Sequence, residues 1–183
     1  MKKRISLIIV GCLLSTMLRA DDADSRQKLV GTWIYATTKA LSNDRTNTVT
    51  EEFQYHADGT FEMKGEYGLI APTNARPITG YMIMNGARVM QQPMEYPYKR
   101  QFGGSGIWRI EQGCFYTTFT NNLGAWHVES GTHTYMLTNS DPRVAFMTPP
   151  MNMETKDEII SVTGQEFTTR DGSGQMQTAT RKQ

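Results

Sequence analysis

The chain has 183 residues with nearly balanced charge, 19 Lys and Arg against 18 Asp and Glu, and 38% of its residues are hydrophobic. This length predicts one domain of ordinary size, large enough to bury a core without disulfides or metals. Beyond residues 1–20 the sequence contains no basic run, which argues against a nucleic-acid partner, because phosphate binding needs clustered Lys and Arg side chains.

Residues 1–20 have the pattern of a secretory signal peptide, with a basic start, an apolar stretch and a small residue, Ala20, before the cleavage point. The apolar stretch is shorter than the ~20 apolar residues that a membrane-spanning helix needs, and no later segment is long enough either. We therefore expect type I cleavage near Ala20 and a periplasmic or secreted protein. The mature domain would comprise residues 21–183.

A second interpretation of the leader is a bacterial lipoprotein signal. The stretch "IVGC" ends at Cys12 and resembles a lipobox, whose cysteine becomes lipidated. Cleavage there would leave only Ile5 to Gly11 as the apolar core and "LLSTML" at the new N-terminus, which favours cleavage after Ala20. Lipidation at Cys12 remains the alternative.

Removal of residues 1–20 takes away four basic residues and no acidic one, which leaves 15 basic and 18 acidic residues and a formal charge of −3. The mature chain then keeps a single cysteine, Cys114, so an intramolecular disulfide is excluded. We expect Cys114 to be a buried, unreactive thiol, since free cysteines are among the most buried residue types.

The segment after the leader predicts one short helical turn and then strands. Asp24 or Ser25 could cap a helical turn that ends at Lys28. Beyond it, apolar and polar residues alternate with a period of two, which indicates β-strands wet on one side. We predict strands over 31–38, 48–56 and 60–67, with Asp58 and Gly59 in a tight turn between the last two.

The region 68–105 breaks this rhythm with four prolines and closes on "FGGSG". Inside it, Asn85 and Gly86 lie between two mostly apolar tetrads, which predicts a type I′ hairpin over 81–90. We interpret the rest of the region as ordered loops at one end of the molecule.

Regular strands resume at Gly106 and continue to the C-terminus. We predict strands over 106–111, 113–122 and 143–148, a hairpin over 125–138 and a loop over 148–157. Two or three strands over 158–182 turn at "DGSG", which starts at Asp171. Pairing of the first and last strands would remove the sheet edges. The fold prediction is all-β, an antiparallel meander β-barrel of eight to ten strands.

Four stretches carry a resemblance to a known family: "LVGTW", "FQYHADGTFEMKGEY", "GIWRIEQGCFYTTFT" and the closing "EIISVTGQEFTTRDGSGQMQTATRK". The chain resembles small exported bacterial lipocalin-like, calycin-type β-barrel domains. The resemblance implies that Arg181, near the end of the last strand, packs over Trp33 of the first Gly-x-Trp and forms a structural pair at the barrel floor. Trp108, in the second Gly-x-Trp, is expected to be core.

The resemblance also implies binding of a small hydrophobic or amphipathic ligand in the barrel cup. The alternation predicts inward-facing side chains that would contact it: Tyr35, Phe53, Tyr55, Met63, Tyr67, Phe119 and Tyr135. Aromatic rings with hydroxyl tips suit a mostly apolar ligand that carries a few polar atoms. Such a cup should contain a connected cavity of about 300 Å³ or more.

The alternative function is a protein-binding module, such as an envelope inhibitor or an immunity-type protein. It would use the Pro-, Tyr- and Met-rich loops at 68–105 and 147–156. This alternative predicts a filled interior and an exposed apolar patch of roughly several hundred Å² on those loops.

The sequence shows none of the usual catalytic motifs: it contains no G-x-S-x-G, no H-E-x-x-H and no Gly-rich phosphate loop. We expect a non-enzyme with no catalytic residue and no cofactor. His127, Glu129 and His133 lie on one predicted hairpin and could approach each other, but exposed polar positions explain them equally well. No metal site is predicted.

Overall fold

The computed structural model describes residues 22–41, 44–72, 75–76, 81–84, 87–90, 95–122, 125–138 and 151–183. The predicted signal peptide, the lipobox Cys12 and the predicted strand 143–148 lie outside these residues. A single described helix, α1, covers residues 22–29, two turns where the sequence predicts one. Nowhere in the described ranges is a helix both long and apolar enough to cross a membrane.

Twelve strands make up nearly all of the remaining described structure. They are β1 (Gly31–Ala40), β2 (Thr46–Tyr55), β3 (Thr60–Ile70), β4 (Tyr81–Met84), β5 (Ala87–Met90), β6 (Tyr98–Glu111), β7 (Cys114–Asn122), β8 (Ala125–Ser130), β9 (His133–Thr138), β10 (Glu154–Val162), β11 (Glu166–Arg170) and β12 (Met176–Arg181).

Eight of these strands form a closed antiparallel barrel. Neighbours around the barrel follow the order β1, β2, β3, β6, β7, β10, β11 and β12, and β12 pairs with β1. The order is that of a meander into which two hairpins are inserted. Closure pairs the first strand with the last, so that Trp33 lies opposite Arg181 and Tyr35 opposite Ala179. The predicted all-β meander barrel is confirmed.

The inserted hairpins both lie outside the closed ring. β4 and β5 pair only with each other, as the sequence predicts for 81–90, although the turn residues Asn85 and Gly86 lie outside the described residues. β8 and β9 pair around Gly131, and β8 continues the sheet from the first three residues of β6. Tyr135, on β9, is therefore not a residue of the barrel wall.

The region 68–105 is less irregular than the sequence suggests. β3 continues to Ile70, and β6 already begins at Tyr98 and includes Gly103 and Gly104, which we interpreted as part of a loop. Gly104 and Gly106 face inward and make room for aromatic rings: a Cβ on Gly106 would lie 2.8 Å from the ring of Phe61, and one on Gly104 3.1 Å from Phe119. The loop prediction is wrong here because the glycines serve packing inside a strand.

The predicted loop over 148–157 is also wrong at its C-terminal end, where the chain already forms a strand. β10 begins at Glu154 and pairs with β7, with Asp157 opposite Phe115. The segment that we expected to be loop therefore contributes to the barrel wall, and it turns Asp157 toward the interior.

Candidate functional site

One end of the barrel is filled by six aromatic side chains, which we call the aromatic floor: Trp33, Tyr55, Phe61, Trp108, Phe115 and Phe167. Each is at most 4% exposed. Their rings meet mostly edge to face in one connected cluster, for example Phe167 with Phe115 at 5.2 Å between centroids and Phe115 with Tyr55 at 5.5 Å. Such contacts stabilise aromatic pairs beyond the burial of their area. The floor seals this end.

Trp33 and Arg181 lie together at the floor. The guanidinium carbon of Arg181 is 4.6 Å from the centroid of the Trp33 ring, and the indole N–H donates a 2.6 Å hydrogen bond to the carbonyl of Leu29. Arg181 also donates to the carbonyls of Val30, at 3.1 Å, and Lys28. Gly31 has a φ of +131°, and a Cβ there would lie 2.5 Å from the guanidinium. Only glycine leaves room for this arginine.

Helix α1 covers the outside of the floor and contacts the β6–β7 turn and the Trp108 ring. The carboxylate of Asp22 accepts hydrogen bonds from the backbone N–H groups of Gln112 and Gly113, at 2.8 and 2.9 Å. The guanidinium of Arg26 lies 5.5 Å from the Trp108 ring, which fills the floor as predicted. Both Gly-x-Trp tryptophans are thus held at the closed end.

Above the floor the barrel interior contains a cavity of about 160 Å³, which we call the cup. Six of the eight barrel strands line it, through Tyr35, Glu51, Phe53, Tyr55, Phe115, Thr117, Phe119, Thr155, Asp157, Thr169 and Gln177. The volume is about half of the 300 Å³ that the sequence interpretation requires. The difference arises because the aromatic floor occupies part of the interior. The cup therefore suits a correspondingly smaller ligand.

Four of the seven predicted ligand-contacting residues line the cup: Tyr35, Phe53, Tyr55 and Phe119. The other three do not. Met63 is buried in the core at 2% exposure, and Tyr67 packs against Tyr98 with centroids 6.2 Å apart. Tyr135 lies on the inserted hairpin outside the ring.

Two lining carboxylates, Glu51 and Asp157, were not among the predicted residues. Burial raises the pKa of the Glu51 carboxyl. Burial also raises the pKa of Asp157, and the nearby negative charge of Asp171 adds to this shift. The alternation along β2 already places Glu51 on the face of Phe53 and Tyr55. Asp157 was not predicted because the sequence analysis assigned residues 148–157 to a loop, where no inward face can be assigned.

Tyr35 and Tyr55 join the bottom of the cup to the floor. Their hydroxyls are hydrogen-bonded to each other, and burial raises the pKa of both phenols. The negative charges of Glu51 and Asp157 raise both phenol pKa values further, so the four groups form one electrostatically linked set. The tyrosines remain neutral hydrogen-bonding groups at physiological pH.

The histidines of the β8–β9 hairpin do not converge. His133 pairs with Ser130, which places it on the opposite face from His127 and Glu129. His133 instead lies 3.4 Å from the carboxylate of Glu95. Within the described ranges, no three His, Cys, Asp or Glu side chains are arranged to hold a metal ion.

Two larger depressions lie elsewhere. One of about 380 Å³ lies over the outer face of β2, β3 and β6, where Lys64 and Glu66 line it, and one of about 520 Å³ lies beside Tyr96 and Pro97. Neither contains any of the predicted ligand-contacting residues. The cup is the smallest of the three, but it combines aromatic, hydroxyl and carboxyl groups inside the barrel. It is therefore the candidate site.

Comparison with known proteins identifies no relative, because no protein-family model and no curated protein matches the sequence. The class of protein is defined by its architecture, a closed eight-stranded antiparallel β-barrel with a sealed floor and an interior cup.

Proposed function

We propose that this is a lipocalin-like binding protein, not an enzyme, that holds one small amphipathic molecule in the cup. The observation that carries the proposal is the division of the interior. One end is packed solid by the aromatic floor, whereas the cup keeps about 160 Å³ between side chains from six strands. An eight-stranded barrel is of the size that holds one small ligand.

The chemistry of the lining supports an amphipathic ligand. The rings of Phe53, Phe115 and Phe119 offer apolar surface, while Thr117 and Thr155 supply hydroxyls that are 2.6 Å from each other. Ligand sites are typically apolar with a few polar groups that fix orientation. The cup has this composition.

The experiment is native mass spectrometry of the protein purified from the organism that produces it. We expect a retained small mass that is lost on denaturation. The protein with Phe119→Trp is the companion sample, because a larger ring at the cup wall should displace the ligand. A mature protein that carries no small mass from its own host, and that binds none of a panel of small amphipathic compounds, would contradict the proposal.

The second candidate is a protein-binding module that acts through the loops at the open end. The exposed apolar side chains of Ile70 (56%) and Met153 (62%) favour it, because both lie within the segments predicted for protein contact. Exposed apolar patches mark interaction sites in many proteins. In the same mass spectra, this function would appear as a co-purified protein, and Ile70→Ser with Met153→Ser should release it.

We further propose that the protein is exported to the periplasm or secreted, with cleavage after Ala20. The proposal rests on the leader pattern of residues 1–20. N-terminal sequencing of the purified protein should begin at Asp21. A lipid-modified N-terminus at Cys12 would establish the lipoprotein alternative instead.

A further inference from the structure

The charge of the cup is entirely negative. Glu51 and Asp157 line it, and the other lining residues that the structure describes include no Lys, Arg or His. Asp171 adds a third negative charge close to Asp157. A ligand that enters the cup therefore meets carboxylates in a partly dry, aromatic-walled space, where the low local dielectric strengthens electrostatic interactions.

The two cup carboxylates differ from their immediate neighbours in sequence. Glu52 faces outward and lies 2.6 Å from the ammonium of Lys182, and Glu158 faces outward and lies 2.5 Å from Arg170. Glu51 and Asp157 face inward and form no such ion pair anywhere in the described structure. Among the described residues, the barrel thus provides cations for these two outward-facing carboxylates and none for the half-buried carboxylates of the cup.

An unpaired buried carboxylate is costly, because the charge loses its hydration without gaining a partner. The raised pKa values of both groups reflect this cost. A cationic ligand would remove the cost by supplying the missing charge and N–H donors. An anionic ligand, such as a fatty acid or a phosphate, would increase it.

The remaining lining suits a cation with an apolar body. The aromatic rings of Tyr35, Phe53 and Phe119 line the same space, and aromatic faces attract cations as well as apolar groups. The volume of about 160 Å³ limits the size. A cavity of about 150 Å³ accommodates benzene, so the cup holds about one ring or a short alkyl group.

We infer that the cup binds a small organic ammonium compound, with its cation between Glu51 and Asp157 and a single ring or short apolar group against the aromatic wall. The inference rests on the proposed ligand-binding function and specifies its ligand class.

The first experiment compares three probes that share one ring and differ in charge: benzylammonium, benzyl alcohol and benzoate. The full mature chain is titrated with each at pH 7.5, with isothermal calorimetry and the NMR signals of the cup aromatic residues as readouts. Hydrogen bonds to charged groups predict that benzylammonium binds about tenfold or more tightly than benzyl alcohol. Benzoate should bind more weakly than the alcohol.

The second experiment uses matched variants. Glu51→Gln and Asp157→Asn each remove one cup charge, and each should weaken benzylammonium binding by about tenfold while leaving benzyl alcohol within about twofold. Glu52→Gln and Glu158→Gln make the same charge change on the outer face and should alter neither affinity. Thermal melts confirm folding, and the cup variants are expected to be no less stable than the wild type because each loses a half-buried charge that has no cationic partner among the described residues.

The outcomes separate this inference from the proposed function. Equal binding of benzyl alcohol and benzylammonium would overturn the cation inference and leave the ligand-binding cup intact. If benzylammonium binding responds to the outer-face variants as strongly as to the cup variants, the cation sits on the surface and the inference is wrong. Failure of all three probes to bind or to shift the cup aromatic signals would count against the cup itself.

Discussion

Replacement of Arg181 by methionine measures how much the guanidinium stabilises the closed end of the barrel. Methionine keeps an apolar stem of similar length and removes the charge and the donors. The contact with the Trp33 ring at 4.6 Å contributes about 0.5–2 kcal/mol. The two hydrogen bonds to backbone carbonyls contribute about 1 kcal/mol each, and the one to Lys28 is exposed and therefore weaker. We expect the free energy of unfolding to fall by about 2–3 kcal/mol.

Urea denaturation followed by circular dichroism is the assay, with Arg170→Met as the matched control. Arg170 pairs with Glu158 on the outer surface, and exposed ion pairs contribute about 0–1 kcal/mol. With a urea slope of about 2 kcal/mol per molar, the midpoint for Arg181→Met should fall by about 1 M or more. A midpoint no lower than that of the control would refute the stabilising role of the arginine.

A double-mutant cycle with Trp33→Leu, which removes the aromatic face, then isolates the ring contact from the backbone hydrogen bonds. Because the guanidinium and the indole are in direct contact, their coupling energy should be about 0.5–1.5 kcal/mol. A coupling energy near zero would assign the whole loss to the hydrogen bonds of Arg181.

Three further predictions concern the cup, the barrel wall and the helix. Burial raises the pKa of Glu51, so the folded protein binds this proton more tightly than the unfolded chain, and wild-type stability is lost as the pH rises through the folded pKa. The gain in melting temperature from Glu51→Gln should therefore be larger at pH 8 than near pH 4. An equal gain at the two pH values would contradict the raised pKa of Glu51. Gly106→Ala would place a Cβ 2.0 Å from a carbonyl oxygen of β7 and should destabilise the barrel by about 2–3 kcal/mol in chemical denaturation. Gly164→Ala is the control: its Cβ meets open space, and it should change stability by less than about 1 kcal/mol. Asp22→Ala removes the acceptor of the Gly113 amide, so this amide should exchange with deuterium faster, while the mid-strand amides of β6 should exchange at the same rate as before. Unchanged exchange of the Gly113 amide would show that α1 is held by other contacts.

The strands that the sequence predicts best are those in which alternation is undisturbed. β3 combines a clean period of two with the Asp58–Gly59 turn, and its predicted start is the observed one. The predicted start of β6, Gly106, lies well after the observed start, Tyr98, because the inward face of this strand carries glycines at 104 and 106 in place of larger side chains. The aromatic rings that pack against these two glycines, Phe61 and Phe119, belong to other strands, so the sequence around the glycines does not predict the contact.

The site was predicted in part. Tyr35, Phe53 and Tyr55 were assigned to the interior from alternation, and the structure gathers them at the cup. Met63 and Tyr67 obey the same alternation on β3 but line no part of the cup. The two-residue alternation along a strand distinguishes side chains on the inner face of the barrel from those on the outer face. It does not determine how far along the barrel axis, or on which side of the barrel, a side chain lies.

The sequence by itself determined the strand pattern, the inward or outward face of most side chains and the pairing of Trp33 with Arg181 that the resemblance implied, because these depend on neighbours along the chain or on a motif. The tertiary structure alone decided that aromatic rings from six strands fill one end and that Glu51 and Asp157 line the same cavity above them. These two carboxylates lie far apart in sequence, and only the closure and register of the barrel bring them to one cavity, where no described residue supplies a counter-ion.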